Sequence, residues 1–244
     1  MSFTQLQVKS SFSLLQSPIT IKALIDTAKA RGYQALALTD VNVLYASVEF
    51  YRQAKAAGIK PLMGLTVQIA DAEIVAIAEN DAGYHQLLKI SSQIKLAEQP
   101  VKLADLPALD GLAVIVPGAY LLTPGFRDLW DSGDALFQAI QAKQPALVNL
   151  GLRAQELQSE LPAFAQARKL PIVALGDVNY IEPNDAFNQK VLQAIGAGTP
   201  LNLRDPTLMD PGTQWLMSPE AAAQPFIDAG LETAVQQTEV IAQQ

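Results

Sequence analysis

The chain has 244 residues, half of them apolar, with a formal charge of −7, one histidine and no cysteine. That size and apolar content suit one large α/β domain or two small ones with a buried core, and exclude a disordered chain. The missing cysteines exclude disulfides and thiolate metal sites. The single histidine, His85, excludes a multi-histidine metal centre, and the scattered Lys and Arg residues make a poor surface for duplex phosphates.

In chain order the sequence predicts alternating strands and helices. Residues 6–8 read as a short strand. Residues 19–31 place Ile21, Leu24, Ile25 and Ala28 at helical spacing, and Gly32 ends that helix. A strand at 35–39 and a helix at 43–57, closed by Gly58, follow. Residues 61–69 and 73–78 read as strands, and Asp81 as the N-cap of a helix running to about Leu96.

Further on, strands are expected at 112–116, 146–150 and 171–175. Helices are expected at 134–142, at 155–169 with a break or kink near Pro162, and at 184–195. Such alternation implies parallel strands with helical crossovers, either as a closed barrel or as an open doubly wound sheet. No G-x-G-x-x-G follows the first strand and no Walker-type loop occurs. From Thr199 the texture turns irregular and rich in Pro and Asp, before a helical segment at 231–244 that reads as a cut within a longer protein. No apolar run approaches the roughly 18 residues that span a bilayer, and no signal peptide is expected, so the reading is cytoplasmic.

In parallel α/β folds the functional side chains gather at the C-terminal ends of strands. Here those ends supply Gln7 and Lys9, then Gln16 and Ser17 in the next loop, Thr39-Asp40-Val41, Thr66, and Asp177-Val178-Asn179, with Glu73 opening the strand after Thr66. The stretches "LQVKSSFSLLQS", "ALALTDVNVLYASVEFYRQAKAAGIKPLMGLTVQI", "AIAENDAGYHQLLKISS" and "PIVALGDVNYIEPNDAFNQKVLQAIGAGTPL" resemble in order the PHP (polymerase and histidinol phosphatase) family. More narrowly they resemble the N-terminal domain of bacterial DNA polymerase III alpha subunits. The likeness runs from about Phe3 to Gln244, loosely across 101–161. The tail "LMSPEAAAQPF…LETAVQQTEVIAQQ" resembles the segment leading into the polymerase body.

The resemblance implies a distorted TIM-like (β/α)7 barrel over residues 1–198, with 199–244 as an irregular segment and helix linking to the polymerase body. It also implies which positions have lost a metal site. Where metal-bearing members resemble H-x-H on the first strand, followed by Asp-Gly, this chain has Gln7, Lys9, Gln16 and Ser17. Where they resemble T-D-H it has Thr39, Asp40 and Val41. A Glu is replaced by Thr66, a His by Glu73, and a D-x-H motif by Asp177 and Asn179. Two aspartates alone would hold at most a loose Mg²⁺, and Val41 cannot coordinate. Lys9 would stand where a metal cation belonged and pair with Asp40 or Asp177.

Asp40 and Asp177 read either as residual metal ligands or as caps and loop anchors. His85 reads as a helix-surface residue, and Trp130 and Trp215 as packing residues. The function implied is the PHP domain of a replicative DNA polymerase, without phosphoesterase or proofreading activity of its own and without a cofactor in this segment, magnesium belonging to the absent polymerase domain. Its partners would be the rest of the polymerase chain and replisome proteins such as a proofreading exonuclease, with DNA reached through the parent polymerase. The alternatives are a free-standing metal-dependent phosphoesterase, histidinol-phosphatase-like, and a binding module unrelated to replication.

Overall fold

The computed structural model describes residues 2–202 and 212–244; residues 203–211 of the stretch read as irregular lie outside the described residues, and its end is not irregular, since Pro219–Asp228 forms a helix capped by the Ser218 hydroxyl. The strands are β1 (Ala35–Leu38), β2 (Lys60–Gln68), β3 (Glu73–Ala78), β4 (Leu112–Pro117), β5 (Leu147–Leu152) and β6 (Ile172–Ala174). They form a curled sheet in sequential order, β1 to β6. Residues 5–9 lie between its two ends. Ala37 N–H donates to Gln5 C=O at 2.9 Å, and Lys9 N–H donates to Val178 C=O at 2.9 Å, so this segment joins β1 to the stretch after β6. The architecture is consistent with the distorted barrel that the family resemblance implies.

One strand corrects the expectation of parallel pairing throughout. β3 runs antiparallel to both β2 and β4, while β1–β2, β4–β5 and β5–β6 are parallel. The cause is the connection at residues 69–72, closed by Ile69 N–H to Ala72 C=O at 3.0 Å. A link that short permits only a hairpin, because a parallel return needs a crossover of a dozen residues or more.

The helices are α1 (Ile21–Ala30), α2 (Ser47–Ala57), α3 (Asp81–Leu96), α4 (Gly118–Leu121), α5 (Phe126–Leu129), α6 (Gly133–Gln141), α7 (Leu161–Arg168), α8 (Ala186–Ala197), α9 (Pro219–Asp228) and α10 (Glu232–Gln243). α1 buries the four apolar residues that predicted it, and the Thr20 hydroxyl caps its first turn. α2 begins at Ser47 rather than at residue 43, and Gly58 at φ +81° closes it. The cap of α3 is Asn80, whose Oδ1 accepts from Gly83 N–H at 3.0 Å; Asp81 is instead the first helical residue, where a negative charge suits the helix N-terminus. Pro162 kinks nothing. The predicted helix over 155–169 is a 3-10 turn (Ala154–Glu156) and then α7, with Pro162 in the first turn of α7, where no N–H is needed.

The barrel interior is one apolar cluster that draws on every wall, including Leu6, Ala37, Leu62, Ile77, Ile115 and Leu175. Ile241 and Ala242 of α10 join it from the N-terminal ends of the strands. There Gln237 of α10 donates to Asn149 Oδ1 of β5 at 2.9 Å. α10 therefore plugs the lower end of the barrel. Larger clusters pack the helices on the outside: α1 and α2 on β1, and α3, α6, α7 and α9 on the β3–β5 side. Among the described residues no helix is long and apolar enough to cross a membrane.

Candidate functional site

All strands but β3 run the same way, so their C-terminal ends meet at the upper end of the barrel. The reversal of β3 brings its first residue, Glu73, to that end too, opposite Gln68. Lys9, Asp40, Thr66, Glu73 and Asp177 thus share one rim although the chain separates them widely.

Asp177 is the centre of the arrangement. It is buried and sits at φ +53°, in the left-handed region that Asp tolerates better than most residues. Lys9 Nζ donates to its Oδ1 at 2.8 Å. Arg153, just beyond β5, approaches Oδ2 at 2.9 Å, and Gln214 Nε2 donates to the same oxygen at 2.7 Å. Burial pushes the carboxyl pKa up, but the Lys9 and Arg153 charges, with the hydrogen bonds from Lys9 and Gln214, outweigh it and hold Asp177 below the usual carboxylate range. The neighbouring Glu156 is shifted the other way. Burial raises its pKa despite its hydrogen bond from Arg153 N–H and the nearby guanidinium.

Asp40 has a different set of partners. Its Oδ1 accepts from Ser10 N–H at 2.7 Å and from the Ser13 hydroxyl at 2.6 Å, and its Oδ2 accepts from the Ser10 hydroxyl at 2.7 Å. Ser13 Oγ accepts in turn from Val41 N–H at 3.0 Å. The carboxylate therefore anchors the loop that follows residues 5–9, a segment expected as a strand that pairs here only through isolated bridges at Gln5 and Val8. Lys9 pairs with Asp177 and not with Asp40.

The remaining rim positions serve the backbone or their immediate neighbours. Thr66 donates its hydroxyl to Thr39 C=O at 2.8 Å, and Val41 pairs with Thr66 across a parallel bridge. Asn179 donates its side-chain amide to Asp177 C=O at 3.1 Å. Glu73 accepts from Gln68 Nε2 at 3.2 Å, on the hairpin. Gln16 lies out in the loop, where its N–H closes a turn on Ser13 C=O. Gln7 is fully buried, and neither atom of its side-chain amide has a partner among the described residues. His85 is exposed on α3. Trp130 donates its indole N–H to Asp71 C=O, and Trp215 lies beneath the Arg31 guanidinium, 5.4 Å from its ring centroid.

Residues 5–112 match the PHP domain family. The chain carries a PHP domain. Over most of its length it is homologous to the N-terminal region of DNA polymerase III alpha subunits. It is 34% identical over 222 residues to the DNA polymerase III subunit alpha of Bacillus subtilis, an alignment that takes in 82% of this chain and 20% of that protein. It is 30% identical over 212 residues to the same subunit of Halalkalibacterium halodurans, covering 81% and 19%. The chain therefore spans about a fifth of the length of these curated relatives. Among solved structures, a candidate metal-dependent phosphoesterase from Bifidobacterium adolescentis shares the fold with a TM-score of 0.52 at 12% identity, covering 71% of this chain and 86% of that one. Arg153, Asp177 and Gln214 lie beyond the residues that match the PHP family model.

Arg153, Gln214, Ser10 and Ser13 were not singled out from the sequence. Arg153 had a signal, a cation directly after the apolar run "LVNLGL" at the end of a strand. Gln214 had none, because it lies 37 residues from Asp177 in an irregular stretch.

Proposed function

We propose that this chain is the PHP domain of a bacterial replicative DNA polymerase III alpha subunit in which a buried ion-pair network stands in for the metal cluster. In this reading the domain braces the polymerase chain and presents a docking surface, and it hydrolyses no phosphoester. The observation that carries the reading is the Lys9–Asp177–Arg153 arrangement. A hydrolytic metal cluster needs ligands with free lone pairs, neutral imidazoles or uncommitted carboxylates. Here an ammonium, a guanidinium and an amide take the oxygens of Asp177, and loop donors take those of Asp40. Among the described residues no three His, Cys, Asp or Glu side chains are placed to hold a metal ion together. The donor set does not fit a preorganised cluster of divalent metals.

The relatives support the polymerase assignment. Nucleotidyl transfer, and the magnesium it uses, would belong to the remainder of the parent chain. A proofreading exonuclease is a partner that such a domain would suit, DNA would be reached through the parent polymerase, and the setting would be cytoplasmic. The test is a phosphoesterase assay of the domain on p-nitrophenyl phosphate and on DNA 3′ ends, with Mn²⁺ and Zn²⁺ added. The expected result is no turnover above buffer, together with a reading frame that continues well past Gln244. Turnover abolished by Asp40→Asn or Asp177→Asn would overturn the non-catalytic reading, and a stop codon after Gln244 would overturn the polymerase assignment.

A further inference from the structure

At the lower end of the barrel, away from Asp177, a groove of about 450 Å³ runs between α2 and α3. Its floor is the start of β2, including Met63, together with Ala78 at the end of the reversed β3. Val48 and Tyr51 of α2 stand beside it with 66% and 49% of their surface exposed. Glu79 forms part of the wall, and its Oε1 is buried with no hydrogen-bond partner among the described residues. Burial pushes this carboxyl pKa up. An acceptor left this way is costly and is relieved by a donor from outside. Ile241 and Gln244 form another side of the groove, so the end of α10 already lies along it.

We infer that this groove receives the polypeptide that follows Gln244 in the parent chain, as an extended segment that lays an apolar side chain against Tyr51 and Met63 and offers Glu79 a Lys, Arg or amide donor. The inference rests on the reading of this chain as part of a polymerase subunit. The matched relatives are about five times longer than the stretch they share with it, and α10 delivers the chain to the groove without a further turn. The groove wall carries two carboxylates, Glu79 and Asp81, against one cation, Lys60, together with apolar side chains, a net acidic lining that suits a segment mixing basic and apolar residues.

The experiment uses the full-length parent polypeptide with a photo-crosslinking amino acid at position 48 or, separately, at position 51. Peptide mapping is expected to find intramolecular links from these positions to residues after Gln244. As a readout that needs no substitution, Lys60 on the groove wall is expected to resist acetylation in the intact parent chain while the exposed Lys22 reacts. Links into a separate polypeptide, or no links together with full acetylation of Lys60, would overturn the inference. A parent chain that continues past Gln244 and gives that result would leave the functional reading standing; a chain that ends there would bring down both.

Discussion

Replacing Lys9 with Met tests the ion network at its centre. The side chains of Lys9 and Asp177 retain only 9% and 5% of their surface, so water does little to screen them. Removing one partner of a buried pair costs about 3–5 kcal/mol, because the other charge stays buried and uncompensated. Arg153 and Gln214 still hold Oδ2 of Asp177, so the loss belongs near the lower end, about 3 kcal/mol. With a urea slope of about 3 kcal/mol/M, Lys9→Met should lower the midpoint of unfolding at pH 7 by about 1 M without changing the slope. A double-mutant cycle with Asp177→Asn should return a coupling of about 1–3 kcal/mol. A loss under about 0.5 kcal/mol, or a coupling near zero, would refute the claim that the pair fills the site, since that is the size of an ordinary surface substitution.

Asp177 also predicts a pH dependence. Its folded pKa lies below the unfolded value of about 3.9, so its contribution is fully present above that value and is lost as the pH falls through the folded pKa. The stability gap between the wild type and Asp177→Asn should therefore be widest near neutrality and close in acid; a gap independent of pH would speak against an ionised carboxylate. Ser10→Ala with Ser13→Ala removes two of the three donors to Asp40 and should cost about 1–3 kcal/mol for each lost hydroxyl, with faster amide exchange in the following loop. Unchanged exchange there would mean that Asp40 is not the anchor. Gln214→Ala removes one donor from Asp177 but leaves the strap in place, since Asn179 N–H still donates to the residue 214 carbonyl at 2.8 Å, Leu216 N–H to Tyr180 C=O at 3.0 Å, and Arg31 and Tyr33 still hold the Leu216 and Met217 carbonyls. Loss of a hydrogen bond to a charged group should cost about 1.5–3 kcal/mol of stability, read from the urea midpoint, and an unchanged midpoint would mean that Gln214 adds nothing to the network.

The sequence made most of the fold legible because each element carries its own periodicity and punctuation. α1 follows from Thr20, four spaced apolar residues and Gly32, and the apolar runs of β1, β4 and β6 fall close to where they were expected. The direction of β3 could have been read from the short link after Gln68 but was hidden by the regular alternation around it. The site was legible where it depends on strand ends: Lys9, Asp40 and Asp177 were each named, and pairing of Lys9 with one of the two aspartates was anticipated. Which aspartate it joins was not legible, because that depends on how residues 5–9 sit between β1 and the stretch after β6. Arg153 and Gln214 reach Asp177 through tertiary contacts that no local pattern encodes.

The most direct test of the central claim is the metal content of the purified domain, measured by elemental analysis after equilibration with Mn²⁺ and Zn²⁺ and exhaustive dialysis. The ion-pair account predicts no stoichiometric metal, and no change in unfolding midpoint when either ion is added. Two or more tightly held metals per chain, with stability rising as the ions are supplied, would show that Asp40, Asp177 and further ligands rebuild a metal centre and that Lys9 does not stand in for one.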